Sequence, residues 1–397
     1  MKILVVGSRI PWPLKDGGAI ATYQMLKGLS AQGADIVYFS FNTRKHHVAP
    51  AQIAEHFNFC RVIDVPLDAN PTLWGALKAI LQGKNYNISR FESEKANEVL
   101  KDLLRSEKFD WVQLEGLYAS PFLETIREAG LPVSLRQHNA EFQIWKRLAS
   151  GNSNGLKKLY FNLLASQLER YEKRMLNAVD AIIPIAPSDK IIFEKIAPGK
   201  PMYLLPVGQE RVTQNAGSFN KNSFFHLGSM EWMPNIEAVK WLVEKVWPGV
   251  RSKLPLAELH LAGKGLQKND PDFMGEGIHV HGEISDAHAF IQSHGIMVVP
   301  VFAGGGIRVK ILEAFNLGAP VVSTDIGIQG IDAHSEEELL LANTPKEFAG
   351  AMVRLQTDAG LREKLIRNAG LLIENRYEIQ TIMSGLLKFY QDMRNKI

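Results

Sequence analysis

A chain of 397 residues, 46% hydrophobic and 22% charged, has the composition of a folded globular protein and the length for two cores, so a disordered chain is excluded and two domains are predicted. Its formal charge is only +3, with 26 basic against 20 acidic residues up to Leu205 and 19 against 22 after it. That asymmetry is too mild for a duplex nucleic acid partner, though it suits an N-terminal half that meets an anionic acceptor or a membrane surface.

The chain opens on Met1-Lys2-Ile3-Leu4-Val5-Val6-Gly7, a strand running into a turn, with neither the apolar stretch nor the cleavage site of a signal peptide. No apolar run approaches the roughly 18 residues of a membrane helix, and a cytoplasmic location is expected. Cys60 is the only cysteine, which rules out internal disulfides and a cysteine-based zinc site and reads as a small buried hydrophobe.

Strand 2–6 leads into a Pro- and Gly-rich loop, Trp12-Pro13-Leu14-Lys15-Asp16-Gly17-Gly18. A helix follows, with Ile20, Tyr23, Leu26 and Leu29 at helical spacing, and then a strand at 35–41. Leu73, Trp74, Leu77, Ile80 and Leu81 form a helical apolar stripe beside Lys78, Lys84 and Arg90. Such a stripe docks on a domain core, or meets a lipid-linked acceptor at the inner face of a membrane. Further strands are predicted at 111–114, 132–136, 181–185 and 202–206. The segment Leu135-Arg136-Gln137-His138-Asn139-Ala140-Glu141 therefore sits at a strand end.

Apolar periodicity lapses between Gly208 and Ser223, which predicts a linker at 209–222. It separates domain 1–208 from domain 223–378. In the second domain strands are expected at 223–227, 258–262, 278–281, 296–301 and 320–323. Ile382, Leu386, Leu387 and Tyr390 give a last helix, in 379–397, an apolar stripe predicted to pack back on the first domain. Strands alternating with helices predict parallel sheets, and ligands bind beyond the carboxyl ends of their strands.

The most informative segment is Val301-Phe302-Ala303-Gly304-Gly305-Gly306-Ile307-Arg308-Val309-Lys310-Ile311-Leu312-Glu313-Ala314-Phe315. A strand enters three glycines and a helix leaves them, so bare N–H groups and a positive dipole end face whatever lies there. Ile307, Ile311, Ala314 and Phe315 make one apolar face of that helix, and Val309, Leu312 and Leu317 cover much of the rest. Lys310 and Glu313, three residues apart, must then find partners in a largely apolar setting. A phosphate and sugar hydroxyls would supply them; pairing only with each other is the alternative. Arg308 is a further candidate for a diphosphate through its planar fork, with a solvated surface arginine as the alternative.

These residues resemble the retaining glycosyltransferases of family 4, whose GT-B fold sets two Rossmann-like, doubly wound α/β domains facing each other across a cleft. The resemblance also rests on Phe225-His226-Leu227-Gly228-Ser229-Met230, Leu259-His260-Leu261-Ala262-Gly263-Lys264-Gly265 and Gly318-Ala319-Pro320-Val321-Val322-Ser323-Thr324. It implies a first domain that binds the acceptor, a second that binds a nucleotide diphosphate sugar, and transfer with retention and no metal or other cofactor. Glu313 matches the family's ribose-binding glutamate, whereas Gly305 stands where its partner glutamate belongs. Ser229 and Pro234 occupy a segment where the family often has an arginine and a lysine, so Arg308 and Lys310 are expected to neutralise the diphosphate. Gly17 and Gly18 match a loop near the donor phosphates, with a plain flexible loop as the alternative. His138 matches a histidine beside the transferred sugar, Glu141 is a neighbour with the same option, and Gly305, Gly306 and Ile307 supply the amides.

A binder of nucleotide sugars without transferase activity, and a GT-B epimerase or phosphorylase, remain alternatives. A nicotinamide-dependent dehydrogenase is disfavoured because Gly7-Ser8-Arg9-Ile10-Pro11 lacks the G-x-G-x-x-G fingerprint. Asp270-Pro271-Asp272 reads as a turn, and His46, His47, His279 and His281 show no ligand spacing, so no metal site is expected.

Overall fold

The computed structural model describes residues 1–14, 17–150, 155–212, 222–268, 270–303 and 307–396. It forms two compact units, Met1–Gly208 with Ile379–Ile397, and Gln209–Glu378. Each unit holds a six-stranded sheet in which every paired strand is parallel.

In the first unit the strands are β1 (Lys2–Gly7), β2 (Asp35–Thr43), β3 (Arg61–Leu67), β4 (Trp111–Glu115), β5 (Val133–Gln137) and β6 (Ala181–Pro184). Their spatial order is β3-β2-β1-β4-β5-β6. Runs such as Ile-Leu-Val-Val suit a parallel sheet because both faces are covered. Alternate residues of β1 accordingly enter two different cores: Leu4 and Val6 pack with Phe39, Val112 and Leu135, while Ile3 and Val5 pack with Met25, Tyr38 and Trp111. Helix α1 (Gly17–Ala31) covers the second of these faces. Helices α2 (Glu141–Ser150) and α3 (Gly155–Ala178) follow β5.

The second unit contains β7 (Ser223–Leu227), β8 (Glu258–Ala262), β9 (Ile278–Gly282), β10 (Ile296–Val299), β11 (Val321–Ser323) and β12 (Leu340–Leu341). Their order is β12-β11-β10-β7-β8-β9. Helix α4 (Ala287–Ser293) precedes β10, and α5 (Val309–Asn316) follows it. The last helix, α6 (Ile379–Arg394), belongs to the first unit and seals its second face with Ile382, Met383, Leu386 and Tyr390.

Each sheet reverses its winding once, between β1 and β4 and between β10 and β7. At such a switch point the loops leaving neighbouring strands diverge and open a crevice at the carboxyl ends. Two strands escape the apolar pattern: β3 carries Asp64 and Pro66, tolerable because it is an edge strand, and β12 is only two residues long. The expected strand at 202–206 does not form. Met202 makes one isolated bridge to Ile182, and Pro201 and Pro206 on either side lack the N–H groups a ladder needs. Residues 213–221 of the expected linker lie outside the described residues, while Gln209 N donates to Tyr377 O at 2.7 Å and Glu210 O accepts from Asn316 Nδ2 at 2.7 Å.

Candidate active site

The switch point of the first sheet holds a cavity of about 230 Å³, lined by Ser8, Gly18, Glu115, Tyr118, His138 and Glu141 among others. At its floor lies Glu115, 5% exposed. It ends β4 directly beside Arg136 on β5, its register partner. The carboxylate accepts from Arg136 Nη1 at 2.6 Å, Thr22 Oγ1 at 2.9 Å, Gln113 Nε2 at 2.7 Å and His138 Nε2 at 2.6 Å. Burial alone would raise its pKa, but the charge of Arg136 and the hydrogen bonds from His138 and Thr22 outweigh that and bring it down to about 2. A fixed anion therefore faces His138. With Nε2–H donated to Glu115, the imidazole is held by one edge and its Nδ1 edge is the one left to act.

Glu141 begins α2 and takes a hydrogen bond from the Tyr118 hydroxyl at 2.9 Å. Burial raises its pKa. Behind it the fully buried Glu172, from α3, accepts from Gln137 Nε2 and from the backbone N–H groups of Glu141 and Phe142 at 2.9, 3.1 and 3.0 Å. These are orphan donors of the first turn of α2, satisfied here by a remote side chain rather than a local cap. Gly18 turns its carbonyl to Thr22 Oγ1 at 2.9 Å; Gly17 opens α1, and Lys15 and Asp16 lie outside the described residues.

In the second unit the switch point lies between the loops that leave β7 and β10. Gly304, Gly305 and Gly306 fall outside the described residues. Ile307 packs on the core. Arg308 places its guanidinium 5.2 Å from the ring centroid of Trp232, in the very segment where the basic pair is missing from the sequence. Lys310 Nζ meets Glu313 Oε2 at 2.7 Å, so the two pair with each other as an i,i+3 ion pair. Glu313 is 9% exposed and its helix neighbours Ile311, Leu312, Ala314 and Phe315 are fully buried.

The β7 and β8 loops are tied together by Met230 N to Lys264 O at 2.7 Å and Gly228 N to Ala262 O at 3.0 Å. Lys264 Nζ adds an ion pair with Glu231 at 2.9 Å. Sequence spacing pointed to neither Lys264 nor Glu115; the visible signal for Glu115 was an acid closing one apolar strand and a base closing the next. Asp270 caps the turn Pro271–Phe273 by accepting from Asp272 N.

Read by spacing alone, His279 and His281 belong to no ligand group, yet the fold sets His281 with His260 and His294, and His279 with Glu258 and His260, ligand atoms within 4.8 Å in each group. Spacing fails because β8, β9 and the end of α4 each contribute.

Residues 221–358 match the family model of the glycosyl transferases group 1. Over 98% of its length the chain is 23% identical to an uncharacterized 44.6 kDa protein in the cps region of Klebsiella pneumoniae, covering 99% of that protein. Among solved structures, HepE of Anabaena in complex with UDP-glucose superimposes with a TM-score of 0.65 at 13% identity, over 99% of this chain and 100% of that one. Sucrose-phosphate synthase from Thermosynechococcus elongatus gives 0.68 at 16% identity over the whole of both chains. These likenesses identify the two-unit architecture as GT-B.

Proposed function

We propose that this group 1 glycosyltransferase of the GT-B fold transfers a hexosyl group from a nucleotide diphosphate sugar to a sugar or lipid-linked acceptor in polysaccharide assembly, with retention and without a metal. The observation that carries the reading is His138 held on the buried, ionised Glu115 in a cavity at a switch point. At about 230 Å³ that cavity is below the roughly 300–1,000 Å³ of drug-sized ligand sites. It suits one sugar ring rather than a whole nucleotide sugar.

The nucleotide diphosphate is assigned to the second unit. Gly305 and Gly306 with the amides before α5 receive the diphosphate, Arg308 and Lys310 neutralise it, and Glu313 takes the ribose hydroxyls. The Lys310–Glu313 pair then exchanges partners on binding rather than leaving two charges bare. As the bond from the anomeric carbon to the diphosphate oxygen lengthens, negative charge gathers on that oxygen, where fixed dipoles and cations are most effective. In the first unit, His138 offers its Nδ1 edge to a sugar in the cavity that Gly18 also lines, and Gly17 opens the helix beside it.

Support for a uridine nucleotide comes from the UDP-glucose bound by HepE, and for a polysaccharide product from the relative in the cps region. A lipid-linked acceptor fits Trp74 and Leu81, which are 83% and 80% exposed on the helix Leu73–Leu81. No helix among the described residues is long and apolar enough to cross a membrane, so such contact would be peripheral, at the inner face in a cytoplasmic setting.

Incubating the full chain with UDP-, GDP- and ADP-hexoses and a panel of glycan and lipid-linked acceptors tests the reading. Acceptor-dependent release of a nucleoside diphosphate, with retained configuration at the anomeric carbon, is expected. Donor binding with no release across the panel would count for a binder and against a transferase.

A further inference from the structure

We propose that His260, His281 and His294 form a binding site for a divalent transition-metal cation, Zn²⁺ above all, on the outer face of the β8–β9 edge of the second sheet. His260 on β8 pairs in register with His279 on β9 and with Phe225 on β7, so all three point to one face. Phe225 on that face is covered by Phe290 of α4. One strand further toward the edge the apolar cover gives way to imidazoles.

Two local features converge them. A register shift after Leu261 pairs Ala262 with Gly282 and leaves His281 as the extra residue of a bulge, a device that re-aims a side chain. His281 Nε2 thereby comes within 2.9 Å of His260 Nδ1. His294, at the end of α4, brings its ring centroid to 4.2 Å from that of His260 and 5.8 Å from that of His281.

The nitrogens are also oriented. His294 Nδ1 lies 2.6 Å from the carbonyl oxygen of Phe290, so Nδ1 carries the proton and Nε2 keeps its lone pair. His260 Nε2 lies 3.7 Å from Glu258 Oε2, which favours the proton there and the lone pair on Nδ1, toward His281. The carbonyl behind His294 and the carboxylate near His260 are the kind of partner that fixes the tautomer of metal-bound histidines; His281 Nε2–H donates to His260 Nδ1 at 2.9 Å, so its proton moves to its own Nδ1 when Nε2 ligates the ion. Tetrahedral Zn²⁺ with Zn–N distances of about 2.0–2.1 Å separates its nitrogens by about 3.3 Å. The ligand atoms here lie within 4.8 Å of one another, so small ring movements close the site. His281 is exposed, leaving the fourth position to water. Bound there, the ion would cross-link β8, the edge strand β9 and α4.

The test uses the tag-free full chain, stripped with chelator and titrated with Zn²⁺ alone, with bound metal measured after desalting. One Zn²⁺ per chain, a raised thermal midpoint, and tetrahedral Co²⁺ absorption bands on cobalt substitution are expected. His281→Ala, at an exposed position, and His294→Ala should each weaken binding roughly tenfold or more, whereas His288→Ala, exposed on α4, should bind as the wild type does. Wild-type protein that retains no stoichiometric Zn²⁺, or a His281→Ala protein that binds it undiminished, overturns the site.

Discussion

Glu115 stays ionised only because its partners outweigh its burial, and each partner tells on a different measurement. Removing the anion leaves Arg136, 1% exposed, as a buried cation without its counter-charge, which costs on the order of 3–5 kcal/mol. Glu115→Gln is expected to lower the urea midpoint accordingly. Its pH signature has a definite sign. The folded pKa of about 2 lies below the unfolded value of 4.5, so between the two the unfolded chain holds a proton that the folded one lacks. Stability is full above that window and falls at up to ~1.4 kcal/mol per pH unit as pH drops through it. The variant should lack that share of the acid loss; parallel wild-type and variant curves would show that Glu115 is not the ionised group. His138→Ala is expected to reduce transfer roughly a hundredfold and to cost about 1–3 kcal/mol of stability, since the buried Glu115 carboxylate loses one of its donors. An unchanged turnover number would remove His138 from the site. The strand end that carries His138 was legible from apolar periodicity, while its role was an expectation from the family resemblance. Glu115 was not legible, because its meaning depends on β4 and β5 being neighbours, and single-strand periodicity does not say which strands pair.

At the scale of elements, the start of α2 and the β7–β8 loops depend on residues that local sequence rules do not flag. Burial raises the pKa of Glu172 from 4.5 to about 8 against the pull of the two backbone N–H groups it accepts. At neutral pH the folded chain therefore keeps a proton there that the unfolded chain releases. Stability drains as pH rises from about 4.5 toward about 8, again at up to ~1.4 kcal/mol per unit. Glu172→Gln keeps an acceptor oxygen for one of the two α2 amides and carries no titratable group. It is expected to flatten the alkaline side of the stability profile between pH 6 and 8 in thermal melts, and an unaltered slope would mean the carboxyl is not protonated. In the other unit, Gly263 has φ +149° and any Cβ there would lie 1.8 Å from the carbonyl oxygen of Gly228. Gly263→Ala must push two backbones apart and is expected to cost at least ~2 kcal/mol, read as a lower denaturation midpoint and weaker nucleotide affinity. The glycine-flanked motif was visible in the sequence, but its contact with Gly228 was not. The strands most fully buried in continuous apolar runs were likewise legible, whereas β3 hid behind Asp64 and Pro66 because an edge position relaxes the very rule used to find strands.

Across the whole molecule, chain order and packing order part company at Glu378. The stripe of Ile382, Leu386 and Tyr390 shows in the sequence that α6 needs a partner, and the expectation was that it packs back on the first domain. In the structure the surface it covers is the face of α1 and the first sheet. Gly28 admits the Met383 side chain so closely that a Cβ on it would come within 2.6 Å of Met383 Cγ. Tyr390, fully buried, stacks on Trp111 with ring centroids 4.8 Å apart and donates its hydroxyl proton to Gln113 Oε1. Helix α6 thus completes a core begun by β1, so the first unit closes only once residues 379–394 have packed back on it. Leu386→Ala, at a fully buried position, is expected to cost about 2–5 kcal/mol through lost burial and the cavity left behind. That loss should fall on the unit α6 covers: hydrogen exchange should quicken in β1, β2 and β4 while β7, β8 and β10 keep their protection. Equal loss of protection in both sheets would mean that α6 supports the second unit as well and that the division at Glu378 is not an energetic boundary.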